Sequence, residues 1–209
     1  MLGLFGKKGK WKRGMKSIHH SLYENTDALI TNQRDIALAL NFADCVPIIF
    51  YDPIKKIIAS AHAGWRGTVA KIGVKTVEKM VENFSCNPED IIALIGPCIG
   101  KCCFEVKEDV LKELKASLPL TPTLSPKERG STKNAFINSH ADLKLINKFQ
   151  LLASGIKKID VCEYCTSCSN ELFFSYRKEK GNTARHSAVI MIRNRDKIKC
   201  KKGYEVNSL

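Results

Sequence analysis

Two residues of this sequence could share a metal ion if the chain folds as its turn signals imply. Cys45 stands just before the apolar run Val46–Tyr51, and His62 just after the run Lys56–Ala61. Between the runs lies Asp52-Pro53-Ile54-Lys55, and Asp-Pro is a turn signal, so the segment reads as a β-hairpin. With that turn, Tyr51 pairs with Lys56 and Cys45 falls opposite His62. Directly opposed residues of an antiparallel pair hold their Cβ atoms about 4.5–5.5 Å apart. A thiolate and an imidazole so placed can bind one zinc ion, with Zn–S about 2.3 Å and Zn–N about 2.0–2.1 Å. The same pair suits a metal-free hydrolase, with Cys45 as nucleophile and His62 as base. A small buried cysteine beside a hydrogen-bonded histidine is the plainer alternative. A one-residue shift of the turn is expected to destroy the pairing.

His62 ends its strand and is followed by Ala63-Gly64-Trp65-Arg66-Gly67, ahead of a helical pattern. A glycine-rich turn between strand and helix can present backbone N–H groups to an anion. Arg66 is then a candidate catalytic residue and a bidentate clamp for phosphate, with Gly67 beside it in the substrate-binding turn. A surface arginine stacked on Trp65 is the structural alternative. Asp44 is a candidate for orienting His62 or a bound water, or for capping a nearby turn.

The elements that must position these residues alternate between strand and helix. Asp27–Thr31 and Ile36–Leu40 read as short strands around the polar turn Asn32-Gln33-Arg34. From Thr68 to Phe84 the apolar residues recur at helical spacing. Ile91–Ile95 reads as a buried strand, Val106–Leu114 and Asp142–Ala153 as helices, and Ile159–Val161 and Ala188–Ile192 as strands. Gly155 is a stop signal for the second of these helices. Pro119–Thr132 holds three of the seven prolines and reads as a surface insertion. The mixture indicates an α/β or α+β domain.

The 209 residues, 44% hydrophobic, suffice for one good core. The net charge of +13 comes from 34 basic and 21 acidic residues and favours anionic partners. Six basic residues crowd the start of the chain (Lys7, Lys8, Lys10, Lys12, Arg13, Lys16), and residues 1–25 read as a basic, poorly ordered segment before a domain at 26–200. Nucleic-acid binding finds little support, because Trp11 is the only aromatic among those basic residues that could stack on a base. No apolar run reaches the ~18 residues of a membrane span, and no secretion signal precedes the nine cysteines, so a reducing cytoplasm is expected. Cys162-x-x-Cys165-x-x-Cys168 has the spacing of an iron–sulfur run but lacks its fourth cysteine and proline. Cys98, Cys102 and Cys103 are expected to be small packing residues, and His140 and His186 to have surface or core roles.

Several motifs in order resemble the YfiH/YlmD family, also called the laccase-domain or polyphenol-oxidase-like family. They are Ala43-Asp44-Cys45-Val46-Pro47, Ala61-His62-Ala63-Gly64-Trp65-Arg66-Gly67, Ile95-Gly96-Pro97-Cys98-Ile99-Gly100 and Cys102-Cys103-Phe104-Glu105-Val106. Cys165-Thr166, Phe173-Phe174-Ser175-Tyr176-Arg177 and Ala184-Arg185 complete the match, which runs from about Thr26 to Ile192. The resemblance implies a single-domain four-layer α/β/β/α fold with mixed sheets. It implies zinc held by two histidines and a cysteine, the last two falling on His62 and Cys45. Copper is the metal of an older polyphenol-oxidase label, and some bacterial members are linked to peptidoglycan editing. It also implies phosphorolysis of adenosine, inosine and S-methyl-5'-thioadenosine, with adenosine deamination, so that purine nucleosides and phosphate are the expected partners.

Two features depart from the family pattern. The first histidine ligand normally sits in a Gln-Val-His-Gly-like motif well upstream of the segment matching Thr26–Asn32, and this chain has none. Only His19 and His20 precede that segment. One of them substitutes, or the third ligand is missing; the second is the expectation, with an N-terminally shortened and inactive family member as its extreme form. Pro119–Thr132 is likewise an insertion. The base-deaminase signature is also absent, since His62 is followed by Ala63-Gly64 and not by x-Glu.

Overall fold

In the computed structural model, residues 26–119 and 132–194 are described in full, and residues 2–6 and 18–19 by their backbone. Most of 1–25 and nearly all of the proline-rich stretch therefore lie outside the described residues. Eleven strands are present among the described residues: β1 Leu2–Gly6, β2 Ile18–His19, β3 Thr26–Thr31, β4 Ala37–Phe42, β5 Val46–Asp52, β6 Ile57–Ala63, β7 Ile92–Ile95, β8 Phe136–Ile137, β9 His140–Ala141, β10 Lys158–Val161 and β11 His186–Met191. The helices are α1 Trp65–Val69, α2 Ile72–Phe84, α3 Glu108–Ser117 and α4 Leu143–Ala153.

The large sheet runs β1-β3-β6-β5-β7-β10, antiparallel except for the parallel pair β7/β10. A small sheet runs β11-β4-β2 and is also mixed. The period-2 alternation of strands divides the large sheet's side chains between two cores. Ala28, Ile30, Val46, Ile48, Phe50, Ala59 and Ala61 face the helices, where Ile72, Val77 and Met80 of α2 and Ile146 and Leu151 of α4 cover them. Leu29 and Ile58 point the other way and meet Leu38, Leu40 and Phe42 of β4. Helices, large sheet and small sheet make this a mixed α/β single domain, and three of the four expected layers lie among the described residues. No described helix is long and apolar enough to cross a membrane.

The observed elements refine three expectations. β3 and β4 are not partners: the chain leaves one sheet at Thr31 and enters the other at Ala37. The helix expected from Thr68 is broken at Lys71, which takes a left-handed φ of 55°, so α1 is a separate short turn and α2 starts at Ile72. The hairpin turn falls one residue later than expected, and Asp52 pairs with Ile57. Its cause is the Asp52 carboxylate, which accepts hydrogen bonds from the Ile54 and Lys55 amides at 2.8 Å each. That keeps Asp52 as the last strand residue, while Lys56 closes the turn at a φ of 55°.

Polar side chains inside α4 tie the helical layer together. Asn147 donates to the Thr68 hydroxyl at 2.9 Å and Gln150 to the Thr68 carbonyl at 3.0 Å, joining α4 to α1. Asp142 caps α4 by accepting from the Leu145 amide at 3.0 Å, and Gly155 ends the helix region with a φ of 95°.

Candidate functional site

The later turn moves the hairpin register. His62 lies opposite Pro47, and Cys45 stands one residue before β5, so the expected direct opposition of Cys45 and His62 is corrected. The partner shift is two positions, however, and a two-residue shift preserves the face. Both side chains point to the side of the large sheet that meets the small sheet, and Cys45 packs against the core formed by Phe42 and its neighbours. Gly64 makes room for the thiol: a Cβ there would lie 3.0 Å from Cys45 Sγ.

The His62 ring stands edge-on to Phe42, with centroids 5.2 Å apart. Its Nδ1 lies 3.7 Å from Asp27 Oδ1. Burial alone would hold the imidazole neutral, but interactions with Asp27 and Cys45 outweigh it and push the pKa up to about 9. Asp27 is thus the carboxylate that faces His62. Nothing local in the sequence links β3 to the end of β6; the antiparallel pairing of those strands does.

Asp44 has a different task. Its Oδ1 accepts from the Thr166 hydroxyl at 2.6 Å and its Oδ2 from the Arg177 amide at 2.7 Å, while its carbonyl accepts from the Ile99 amide at 3.0 Å. One residue, held at a φ of 78°, so fastens three distant segments around Cys45. Arg177 then donates from Nη1 and Nη2 to the carbonyls of Cys103 and Glu105, at 3.0 Å each.

The result is a cleft of about 360 Å³. Ala43, Asp44, Cys45, His62, Ile99 and Phe104 line it together with Tyr176, Arg177 and Arg185, and the Arg177 guanidinium lies 5.7 Å over the Phe104 ring. Arg185 makes no hydrogen bond or ion pair among the described residues. Arg66 is exposed and its guanidinium lies 4.2 Å above the Trp65 ring; it is not among the residues lining the cleft. Gly67 serves close packing, since a Cβ there would meet the His62 carbonyl oxygen at 3.0 Å. The two cleft arginines belong to the Phe173–Arg177 and Ala184-Arg185 motifs, but only the fold brings them to Cys45.

Cys45 and His62 fit zinc or copper as a soft thiolate with an imidazole. Among the described residues, no third cysteine, histidine or carboxylate lies within one ion's reach of both. The backbone of His19 pairs with Ala39 in the small sheet, and His20 lies outside the described residues. His186 packs between Phe42 and Phe173 and belongs to no group of three metal donors among the described residues.

Cys102 and Cys103, expected as small packing residues, instead meet Cys165 and Cys168 of the C-x-x-C-x-x-C run, with all four sulfurs within 4.8 Å of one another. Burial pushes the Cys165 thiol up, but the Gly100 and Cys168 amides and neighbouring thiols bring it down to about 7. Cys98 is buried and packs as expected, and Cys162 is not part of the group.

A family model described as "Multi-copper polyphenol oxidoreductase laccase" matches residues 9–193. The purine nucleoside phosphorylase YlmD of Bacillus subtilis is 38% identical over 174 residues, covering 82% of this chain and 60% of the relative. The adenosine deaminase RL5, from an unknown prokaryotic organism, is 34% identical, covering 78% and 60%. The crystal structure of the hypothetical protein YfiH of Bacillus licheniformis superposes with a TM-score of 0.71 at 37% identity, covering 80% of this chain and 62% of that one. The chain thus spans about 60% of the length of these curated relatives. On the strength of a match along nearly its whole described length, the chain belongs to this laccase-like family, alongside YlmD and YfiH.

Proposed function

We propose that the cleft binds a purine nucleoside together with phosphate, and that the chain carries out phosphorolysis of adenosine, inosine and S-methyl-5'-thioadenosine, with adenosine deamination as a second reaction. The observation that carries this reading is the meeting of the Cys45–His62 pair with Arg177 and Arg185 in one small-molecule cleft. The names of the relatives, purine nucleoside phosphorylase and adenosine deaminase, support the same substrate class.

Cys45 and His62 would hold the metal, zinc in first place and copper as the alternative occupant, with His19 or His20 as candidates for the missing ligand. When bound, zinc polarises an oxygen and brings the pKa of coordinated water to roughly 7. The chain's own residues do the rest. Asp27 orients the His62 ring. Arg185, whose guanidinium is uncommitted among the described residues, holds the attacking phosphate in place of Arg66. Arg177 is fixed by two carbonyls and contributes positive charge at a set position. Tyr176, an exposed aromatic in the cleft lining, would offer its ring to the purine. Phosphate then attacks the anomeric carbon and the purine leaves.

The test is hypoxanthine release from inosine by the zinc-loaded chain, with and without phosphate. Phosphate-dependent release that disappears in Cys45→Ser, and whose KM for phosphate rises in Arg185→Ala but not in Arg66→Ala, is the expected outcome. Absence of phosphate-dependent release from the zinc-loaded chain overturns the proposal.

One observation favours a second reading. Cys45, His62 and Asp27 form a row of nucleophile, base and orienting carboxylate. A metal-free hydrolase would be inactivated by alkylation of Cys45 and indifferent to chelators, whereas the phosphorylase would lose activity with its metal.

A further inference from the structure

We propose that Cys102, Cys103, Cys165 and Cys168 hold one zinc ion in a closed, structural site that pins the loop after β7 to the loop after β10. The nucleoside reading is not needed for this, because none of the four belongs to the Cys45–His62 pair.

Geometry makes the first case. Four thiolates around zinc at a Zn–S distance of ~2.3 Å sit at tetrahedral corners roughly 3.8 Å apart. Here Cys168 Sγ lies 3.5 Å from Cys102 Sγ and 3.4 Å from Cys103 Sγ, and no sulfur of the group is more than 4.8 Å from another. This is the span of one ion. An iron–sulfur cluster, with several metals between the ligands, needs more room, and Cys162 of the cysteine run stands outside the group. A disulfide needs sulfurs about 2.05 Å apart. All four cysteines are free thiols.

The surroundings make the second case, because they hold the thiols in place from both loops. The Gly100 amide donates to Cys165 Sγ at 3.1 Å. Gly100 itself has no room for a side chain: a Cβ would lie 3.1 Å from Cys165 Cβ and 3.2 Å from Cys102 Sγ. On the other loop, the Lys144 ammonium donates to the carbonyls of Cys162, Glu163 and Tyr164 at 2.9, 3.2 and 3.0 Å. The two loops are joined by a parallel backbone β-bridge between Cys98 and Cys165, in which the Thr166 amide donates to the Cys98 carbonyl at 3.0 Å. Backbone donors to ligand sulfur and preset loops are the supporting features that metal sites require. Cys165 is buried while Cys102 and Cys168 are exposed, which leaves the ion a way in.

Four protein thiolates fill all positions of a tetrahedral zinc, so the site is structural and leaves none open for water or substrate. Its consequence is mechanical. One loop carries Ile99 and Phe104, and the other leads to Tyr176 and Arg177, so the ion would brace two of the segments that line the cleft.

The experiment measures metal in the full chain carrying Cys45→Ser and His62→Ala, purified under reducing conditions. Retention of about one zinc per chain is expected, lost when Cys102→Ser and Cys168→Ser are added and kept when Cys162→Ser is added instead. Exchange with Co2+ should give the intense thiolate-to-cobalt absorption of a tetrathiolate site. Because the serine variants could fail to fold, the parent chain is also titrated with a mercurial, and zinc should leave as four thiols react. The proposal fails if the Cys45→Ser/His62→Ala chain holds no zinc or carries iron in its place. It also fails if zinc persists after Cys102 and Cys168 are replaced, or if unreduced denatured protein lacks two thiols through a disulfide.

Discussion

The hairpin pair and the cysteine group are both sulfur-bearing constellations, yet the fold builds them by opposite means. Cys45 and His62 are set by the register of adjacent strands, where side chains on one face repeat every second residue. The four cysteines sit in loops more than sixty residues apart and meet only because β7 and β10 lie side by side. A strand-borne pair tolerates a turn that moves by one residue, since the partner shift keeps the face. A loop-borne group has no such protection and relies on Gly100, Lys144 and the backbone β-bridge between residues 98 and 165 to hold its geometry. The first arrangement suits an open site that must present groups to a ligand. The second suits a closed one that holds a wall in place.

If that contrast is right, damage to the two regions should separate activity from stability. The largest effect is expected for Cys45→Ser, which should lower phosphorolysis by more than about 100-fold, the upper end of what even indirect metal-site changes cost, with a melting temperature within a few degrees of the parent. Assays of kcat/KM beside thermal unfolding would check this, and a large loss of stability would break the contrast. Cys102→Ser with Cys168→Ser should do the reverse in emphasis. Loss of a structural ion worth about 3 kcal/mol lowers the melting temperature of a chain this size by roughly 10 °C. Chelation of the parent chain should reproduce that shift, and should add nothing in the double variant.

Thr166→Val sharpens the comparison at the joint between the regions. It removes the 2.6 Å bond to Asp44 in a fully buried place and should cost about 1–3 kcal/mol of unfolding free energy, read by denaturant titration. The smallest effect is electrostatic. In the metal-free chain His62 has its pKa raised from an ordinary 6.5 to about 9, so its contribution to stability is fully present below pH 6.5 and is lost as pH rises through 9. Asp27→Asn should lower that pKa, measured by NMR titration of the ring, and flatten the fall in stability over that window. An unchanged His62 pKa would remove Asp27 as its orienting partner.

Much of the strand and helix pattern was legible in the sequence because it rests on local periodicity. The Asp27–Thr31, Ile91–Ile95 and Asp142–Ala153 segments emerge within a residue of their expected ends. The break at Lys71 was not legible, because a left-handed residue between two helical stretches leaves the apolar spacing almost intact. Arg66 illustrates a different limit. Its place after a glycine-rich turn suited phosphate, but stacking on Trp65 leaves it on the surface, while Arg177 and Arg185 arrive from the far end of the chain.

By itself, then, the sequence determined the hairpin that brings Cys45 and His62 to one face, the α/β character, and the ordered motifs of the laccase-like family. Only the tertiary structure decided that Asp27 faces His62, that Asp44 fastens Thr166 and Arg177, and that four cysteines from two loops share one place. The physical reason is range. Side-chain direction along a strand or helix follows from local backbone geometry, whereas contacts between loops depend on how sheets order their strands, and that order is settled by burial across the whole core.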